Sequence, residues 1–194
     1  MDFTLLDRRP IVVALAGPNG AGKTTFYHAH LAGSGLPFVN ADMLSRELNI
    51  DPYAGARAAD ALRRALVARG ASFIFETVLS DPVGDKVAFL QGAVQQGYTV
   101  VLLYLGLESA VQSAQRVSLR VSQGGHAVPE EKLHPRFART LENLRLAISR
   151  LPYVLVYDNS DLRVPFRETA AFEHGRLVRW QDPIPEWLRS VIPN

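Results

Sequence analysis

"IVVALAGPNGAGKTT", residues 11–25, decides the fold. Its first six residues are apolar without a break, which is how a strand buried on both faces of a parallel sheet is written. Gly17, Gly20 and Gly22 follow, and Lys23, Thr24 and Thr25 open a helical stretch. Strand, glycine-rich turn and helix in that order satisfy G-x-x-x-x-G-K-[ST] in the context that gives the pattern meaning. The glycines let the backbone curl with its N–H groups facing inward, which makes a nest for an anion. The helix starting near Lys23 adds the positive end of its dipole. The stretch therefore predicts a phosphate cradle made by Gly17, Asn19, Gly20, Ala21, Gly22, Lys23, Thr24 and Thr25. Lys23 is placed to reach the β- and γ-phosphates of a nucleoside triphosphate, and the Thr24 hydroxyl to ligate Mg²⁺.

Outward from the cradle, strands and helices alternate. "PFVNAD" (37–42), "SFIFET" (72–77), "YTVVLLYLG" (98–106) and "YVLVYDNS" (153–160) read as further strands. Helices are expected at 43–48, at 53–70 with a stripe of Ala58, Leu62, Ala65 and Leu66, and at 81–97 opening on Asp81-Pro82. Two more are expected at 109–125, striped by Ala110, Ala114, Val117 and Val121, and at 135–151, striped by Ala138, Leu141, Leu144 and Ile148. "TAAFEHGRLVRW" reads as a hairpin turning at His174-Gly175, and "IPEWLRSVI" as a short amphipathic helix. Trp180 and Trp187 in this tail are expected to pack rather than stack on a ligand. The pattern predicts one α/β domain over residues 1–194, a three-layer P-loop NTPase-type fold. Its sheet would be mainly parallel, of about five strands, with helices on both faces and a small C-terminal hairpin and helix.

Composition narrows the function classes. Apolar content of 47% and charged content of 21% suit a globular chain with a real core. With no cysteine, disulfides and thiolate metal sites are excluded. The N-terminus carries Asp2 and no long apolar core, and the longest apolar run has about ten residues, too few to span a bilayer. A cytoplasmic protein without a membrane partner is the expectation. The net charge of +2 is modest and its basic residues are scattered, which argues against a nucleic-acid track. Only Lys23, Lys86 and Lys132 of the 21 basic residues are lysines; arginine suits bidentate anion binding.

A guanine-reading N-K-x-D is absent, and neither strand that ends in an acid, at Glu76 or Asp158, is followed by the second acid of motor and transporter ATPases. A small kinase fits better, because it needs a cradle, a base for the acceptor hydroxyl and arginines over the γ-phosphate. Asp42 ends the second strand on the rim where ligands of parallel sheets sit, so it is either that base or the N-cap of the helix after it. Glu76 and Thr77 end the third strand on the same rim, where they position acceptor or metal, or simply face water. Asn40 and Arg46 border the same place. Arg116 and Arg120 lie one turn apart; Arg136 and Arg139 share a face of the next helix. Between them "VSQGGHAVP" reads as a helix stop, with His126 capping a turn, or as the hinge of a lid over about 116–139. A closing lid would bring Arg120 and Arg136 to the transferred phosphate, with Arg116 assigned to the nucleotide. Asp158 and Asn159 are assigned to the nucleotide, with Asp158 alternatively a Mg²⁺ ligand.

"GPNGAGKTT", "FVNAD", "FIFETVLS", "GYTVVLLYLG", "RVSLRVSQGGHAVP" and "VYDNS", in this order over residues 11–160, resemble the zeta-toxin-like kinases. The resemblance implies ATP held by Lys23 with Mg²⁺ on Thr24, Asp42 as general base, Glu76 near the acceptor, and arginines after the fourth strand at the γ-phosphate. It implies UDP-N-acetylglucosamine as the hydroxyl acceptor and a small antitoxin protein as partner. Two features depart from the pattern. The chain looks shorter than typical toxins, and Ser80 and Asp81 stand where many zeta toxins carry an arginine. The alternatives are an ATP-binding sensing or interaction module without phosphotransfer, and a kinase for another small acceptor.

Overall fold

The computed structural model describes residues 7–122 and 130–192. Strand β1 (Ile11–Ala16) lies at the centre, every residue at 0% exposure. It pairs in parallel with β3 (Phe73–Thr77) and β4 (Thr99–Gly106). The two-residue β2 (Phe38–Val39) and β5 (Tyr153–Asp158) extend the parallel sheet on either side. Strands β6 (Arg167–Glu173) and β7 (Arg176–Trp180) are antiparallel, giving one seven-stranded sheet in the order β2-β3-β1-β4-β5-β6-β7. The predicted hairpin turns at His174 and Gly175, both with left-handed φ, as a two-residue turn between twisted strands requires. It is not a separate appendage, however. Its first strand adds to β5 and continues the sheet, which is why seven strands stand where about five were expected.

Alternation along the strands feeds two cores. Val12, Ala14, Phe73, Phe75, Val100, Leu102 and Val154 face one side, together with Leu90, Leu144 and Ile148 from helices. Ile11, Val13, Leu15, Ile74, Val101 and Leu103 face the other, with Phe26 and Leu31. In register, Ala16 lies opposite both Thr77 and Tyr104, and Gly106 opposite Asp158. The carboxyl ends of β1, β3, β4 and β5 therefore form one rim.

The helices are α1 (Lys23–Phe26), continued by a π-helical turn (Tyr27–Leu31), then α2 (Ala41–Glu47), α3 (Pro52–Ala68), α4 (Asp85–Gln95), α5 (Ala110–Ser122), α6 (Glu130–Arg150) and α7 (Glu186–Arg189). Several differ from the sequence reading for local reasons. In α3 the buried row is Gly55, Ala59, Arg63 and Val67, while Leu62 is 38% exposed. The apolar count missed this face because an arginine sits on it. Asp81-Pro82 does not start α4. The Asp81 carboxylate accepts from the Asp85 N–H and starts a turn, and the helix begins at Asp85 after a left-handed Gly84. In α5 the buried residues are Ser113 and Val117, and Val121 is exposed. Helix α6 starts five residues before Pro135, and its buried row includes Leu133, Phe137 and Thr140 rather than Ala138. Gly124, Gly125, His126 and Pro129 of the expected lid hinge lie outside the described residues.

The tail helix α7 is anchored firmly. Trp187 is 7% exposed, lies against Gly106 so closely that a Cβ there would overlap its ring, and donates from Nε1 to Asp158 Oδ1 at 3.2 Å. Trp180, by contrast, is 54% exposed on the edge strand β7. No helix among the described residues is long and apolar enough to cross a membrane.

Candidate active site

The turn from β1 into α1 is held in its curled form by close packing on three sides. Gly17 has φ 142°, and a Cβ there would come within 2.1 Å of the Leu105 carbonyl oxygen on β4. A Cβ on Gly20 would meet Arg116 Cβ at 2.9 Å, so α5 lies directly against the loop. Ser113 Oγ on α5 donates to the Asn19 carbonyl at 2.7 Å. From the other side Asn159 Nδ2 donates to the Ala21 carbonyl at 2.9 Å, while its Oδ1 accepts from Phe166 N–H at 3.2 Å. Phe26 on α1 packs on Tyr157 and Phe166, with ring centroids 5.1 and 5.2 Å away. Helix and loop are thus fixed to β4, β5 and α5 together.

Lys23 reaches back into this cradle. Its Nζ donates to the Gly17 carbonyl at 2.9 Å and the Pro18 carbonyl at 3.1 Å, and stands 3.8 Å from Glu76 Oε1. Burial pulls its pKa down; the Glu76 carboxylate opposes this, the Arg120 charge reinforces it, and Asp42 again opposes it. Arg120 at the end of α5 and Asp42 on α2 therefore both act on the cradle lysine, although they come from distant parts of the sequence.

Glu76 is half-buried and engaged rather than a free carboxylate in water. It accepts from Thr24 Oγ1 at 2.9 Å and from Asn40 Nδ2 at 2.9 Å. Asn40 is 6% exposed and its other end is also used, since Oδ1 accepts from the N–H groups of Asp42 and Met43. The N-cap of α2 is Asn40, so Asp42 stands in the first turn and its carboxylate is not consumed by capping. Arg46 is exposed one turn later on α2, its Nε donating to the Asp42 carbonyl at 3.3 Å. Thr77 Oγ1 accepts from Leu79 N–H at 3.1 Å and shapes the turn after β3. Thr25 is exposed on α1 beside Thr24. A cleft of about 210 Å³ opens here, lined by Asn40, Ala41, Asp42, Ala56, Arg63, Glu76, Thr77, Val78 and Lys86.

The arginines divide. Arg116 is half-buried beside Gly20, and its guanidinium donates to the Ser160 carbonyl at 3.0 Å. Arg120 is exposed within electrostatic reach of Lys23. Arg136 is half-buried on α6, one turn before Arg139, whose Nε donates to the Ser80 carbonyl at 2.9 Å. The same face of α6 carries Thr140, which donates to the Val78 carbonyl at 2.7 Å, and Asn143, which donates to Leu79 and Asp81 carbonyls at 2.9 Å. This polar row fastens the β3–α4 loop that walls the cleft.

Asp158 is engaged on both oxygens. Oδ1 accepts from Ser160 Oγ at 2.6 Å and from Trp187 Nε1, and Oδ2 stands 3.6 Å from Arg167. Its neighbour Asn159 is the one that touches the cradle. Sequence reading missed Ser113, Arg63, Lys86, Thr140 and Asn143. Ser113 carried a signal, being on the one α5 face that also holds Arg116 and Val117; the others had none beyond their type.

Asn159 gives a direct test of this packing. It is 3% exposed, so Asn159→Ala strands the Ala21 carbonyl and the Phe166 N–H in a dry place. Unpaired buried groups cost about 1–3 kcal/mol. The expected result is a lower unfolding midpoint together with weaker ATP binding, read by thermal scanning with and without nucleotide. An unchanged midpoint would remove Asn159 from the support of the cradle.

Residues 12–143 match a family model described as an AAA domain. No curated protein sequence matches the chain. Among solved structures, the AvrRxo1-ORF1:-ORF2 complex with ATP superposes with a TM-score of 0.74 at 17% identity, covering 98% of this chain and 67% of that one. A structure from the PezAT chromosomal toxin–antitoxin system of Streptococcus pneumoniae gives 0.60 at 17% identity, covering 94% and 84%. Shikimate kinase from Acinetobacter baumannii in complex with shikimate gives 0.50 at 20% identity, covering 72% and 81%. At these identities the likeness is one of fold, and this chain spans about two thirds of the AvrRxo1-ORF1:-ORF2 chain it matches. The family match covers well over half of the sequence and contains the cradle, Asp42, Glu76 and α5, and on that ground the chain belongs to the AAA-domain family.

Proposed function

We propose that the protein is an ATP-dependent phosphotransferase of zeta-toxin type that moves the γ-phosphate to a hydroxyl of a small acceptor. The observation that carries this reading is the juxtaposition of cradle and cleft. Lys23, Thr24, Glu76 and Asn40 form one hydrogen-bonded and ionic chain, and the cleft bounded by Glu76 also holds Asp42.

In this reading the backbone N–H groups of residues 19–24 and the Lys23 ammonium bind the phosphate chain. The Thr24 hydroxyl beside the Glu76 carboxylate is an oxygen pair suited to a hard cation, and among the described residues no cluster of three acidic or histidine ligands could hold one alone. Mg²⁺ arriving with ATP fits that donor set, and when bound it supplies charge neutralisation on the phosphates. Asp42 accepts the proton of the acceptor hydroxyl. Arg120, already within reach of Lys23, stabilises charge on the transferred group. Arg136, half-buried on α6, is the second arginine we assign to that charge.

UDP-N-acetylglucosamine is the named acceptor we favour, on the ordered resemblance of the motifs. A small antitoxin protein is the partner that goes with it, since the AvrRxo1 structure is an ORF1:ORF2 complex and the Streptococcus one comes from a toxin–antitoxin system. The test is incubation with γ-labelled ATP, Mg²⁺ and a panel of nucleotide sugars. Label on a sugar is the expected result. Tight ATP binding with no label on any acceptor and no hydrolysis would replace the kinase by a nucleotide-sensing module.

A further inference from the structure

The cleft beside Asp42 has a second, cationic end that phosphoryl transfer itself does not use. Arg63 on α3 and Lys86 on α4 both line it. Arg63 is 4% exposed, with its guanidinium 5.0 Å from the centre of the Phe75 ring. One of its nitrogens, Nη2, meets Asp60 Oδ1 at 2.8 Å, while Nε is buried with no hydrogen-bond partner. Lys86 Nζ stands 3.3 Å from the same Asp60 oxygen, and Arg64 Nε takes the other oxygen at 2.9 Å.

One carboxylate thus serves three cations. Burial pushes the Asp60 pKa up, but hydrogen bonds from Arg64 and Arg63 and the charge of Lys86 bring it down to about 2, so it is ionised throughout the useful range. Asp85 also acts on the group, through Arg64, which does not line the cleft and is mostly exposed. At the opposite end Glu76 is offset by Lys23. Arg63 and Lys86 against the single Asp60 leave positive charge at that end, while the carboxylates of Asp42 and Glu76 line the other. A wall made of one planar guanidinium and one ammonium is complementary to an anion. The volume of about 210 Å³ is smaller than the roughly 300–1,000 Å³ of whole-ligand pockets. It takes one part of a molecule rather than the whole of it.

We propose that Arg63 and Lys86 form an anion subsite, so that the acceptor is a compound carrying a phosphate or carboxylate close to the hydroxyl that faces Asp42. The inference rests on the phosphotransferase reading of the cleft, but its test does not need turnover. The probe is inorganic phosphate, titrated by NMR into protein saturated with a non-hydrolysable ATP analogue and Mg²⁺, so that the cradle is already filled. The Arg63 Nε–H resonance reports the site. It is expected to shift saturably in the millimolar range, and Lys86→Gln to weaken that binding at least fivefold with the unfolding midpoint kept. Lys86 is the better first variant, since Arg63→Gln removes a buried ion pair and risks the fold; Arg63→Lys, which keeps the charge without the planar fork, is the second. A resonance that ignores phosphate, or Lys86→Gln binding as tightly as the parent, overturns the subsite. Phosphate binding at Arg63 with no transfer to any acceptor sinks the kinase and keeps the subsite. Equal transfer to glucose and glucose 6-phosphate, with no phosphate response, does the reverse.

Discussion

Asp42→Asn is expected to keep a non-hydrolysable ATP analogue bound and to lose phosphotransfer by about 10²–10⁴-fold, the size of a general-base contribution. The separation follows from where Asp42 sits. Its carboxylate is exposed in the first turn of α2, and the cap of that helix is supplied by Asn40. The substitution therefore leaves the capping hydrogen bonds intact. It removes a negative charge near a helix N-terminus, worth typically about 0.3–1 kcal/mol. It also removes one of the two carboxylates that oppose the lowering of the Lys23 pKa, but Glu76, the stronger of them, remains 3.8 Å away. The Lys23–Glu76 approach is therefore kept, and the analogue's Kd moves by no more than about threefold, the ordinary scale of an exposed charge effect. Calorimetry with the analogue and single-turnover transfer from labelled ATP check the two halves. Unchanged turnover would take Asp42 out of the chemistry, and a large loss of analogue affinity would make it a nucleotide ligand instead.

The central layer was legible because β1 and β4 are nearly unbroken apolar runs, a pattern that only a doubly covered strand explains. The cradle was legible because glycine, lysine and threonine at fixed spacing have few other uses in a strand-to-helix turn. Less could be read where polar residues do packing work. Arg63 broke the apolar count on α3, although its guanidinium over Phe75 buries it as thoroughly as a leucine. Asn40 was read as a weak border residue, yet it holds both the start of α2 and Glu76 with opposite ends of one amide. Such double use depends on the distance between β2 and β3, which no local pattern encodes. Asp158 and Asn159 show the same limit at a finer scale. Adjacent residues at a strand end alternate in direction. One turns to Trp187 and the other to Ala21. The pairing "Arg116 and Arg120" was sound as a spacing. Only the packing of α5 on Gly20 separates a residue that fixes the Ser160 loop from one that acts on Lys23.

Lys23→Met should lower ATP affinity by about two orders of magnitude or more while costing the folded chain only modest stability. The first half follows from charge-assisted hydrogen bonds to phosphate, worth about 1.5–3 kcal/mol each, of which an ammonium in the cradle makes more than one. The second half follows from the cost of the charge. Lys23 is 6% exposed, and burial lowers its pKa, which means the folded state disfavours its charged form. What offsets this is the pair of carbonyl contacts and the 3.8 Å approach to Glu76. Methionine keeps the length and apolar stem without the charge. Glu76 keeps its hydrogen bonds from Thr24 and Asn40, so no buried carboxylate is left without a partner. Removing one partner of a buried ion pair is destabilising where the other is left uncompensated; here Glu76 stays hydrogen-bonded, and the loss is confined to the Gly17 and Pro18 carbonyls, which lose their donor. Thermal scanning without nucleotide is therefore expected to show a modestly lower midpoint, and the rise that ATP confers on the parent should disappear. A variant without a cooperative unfolding transition would mean that Lys23 holds the loop rather than the ligand. Undiminished affinity by calorimetry would mean that the curl of residues 17–22 is only a turn.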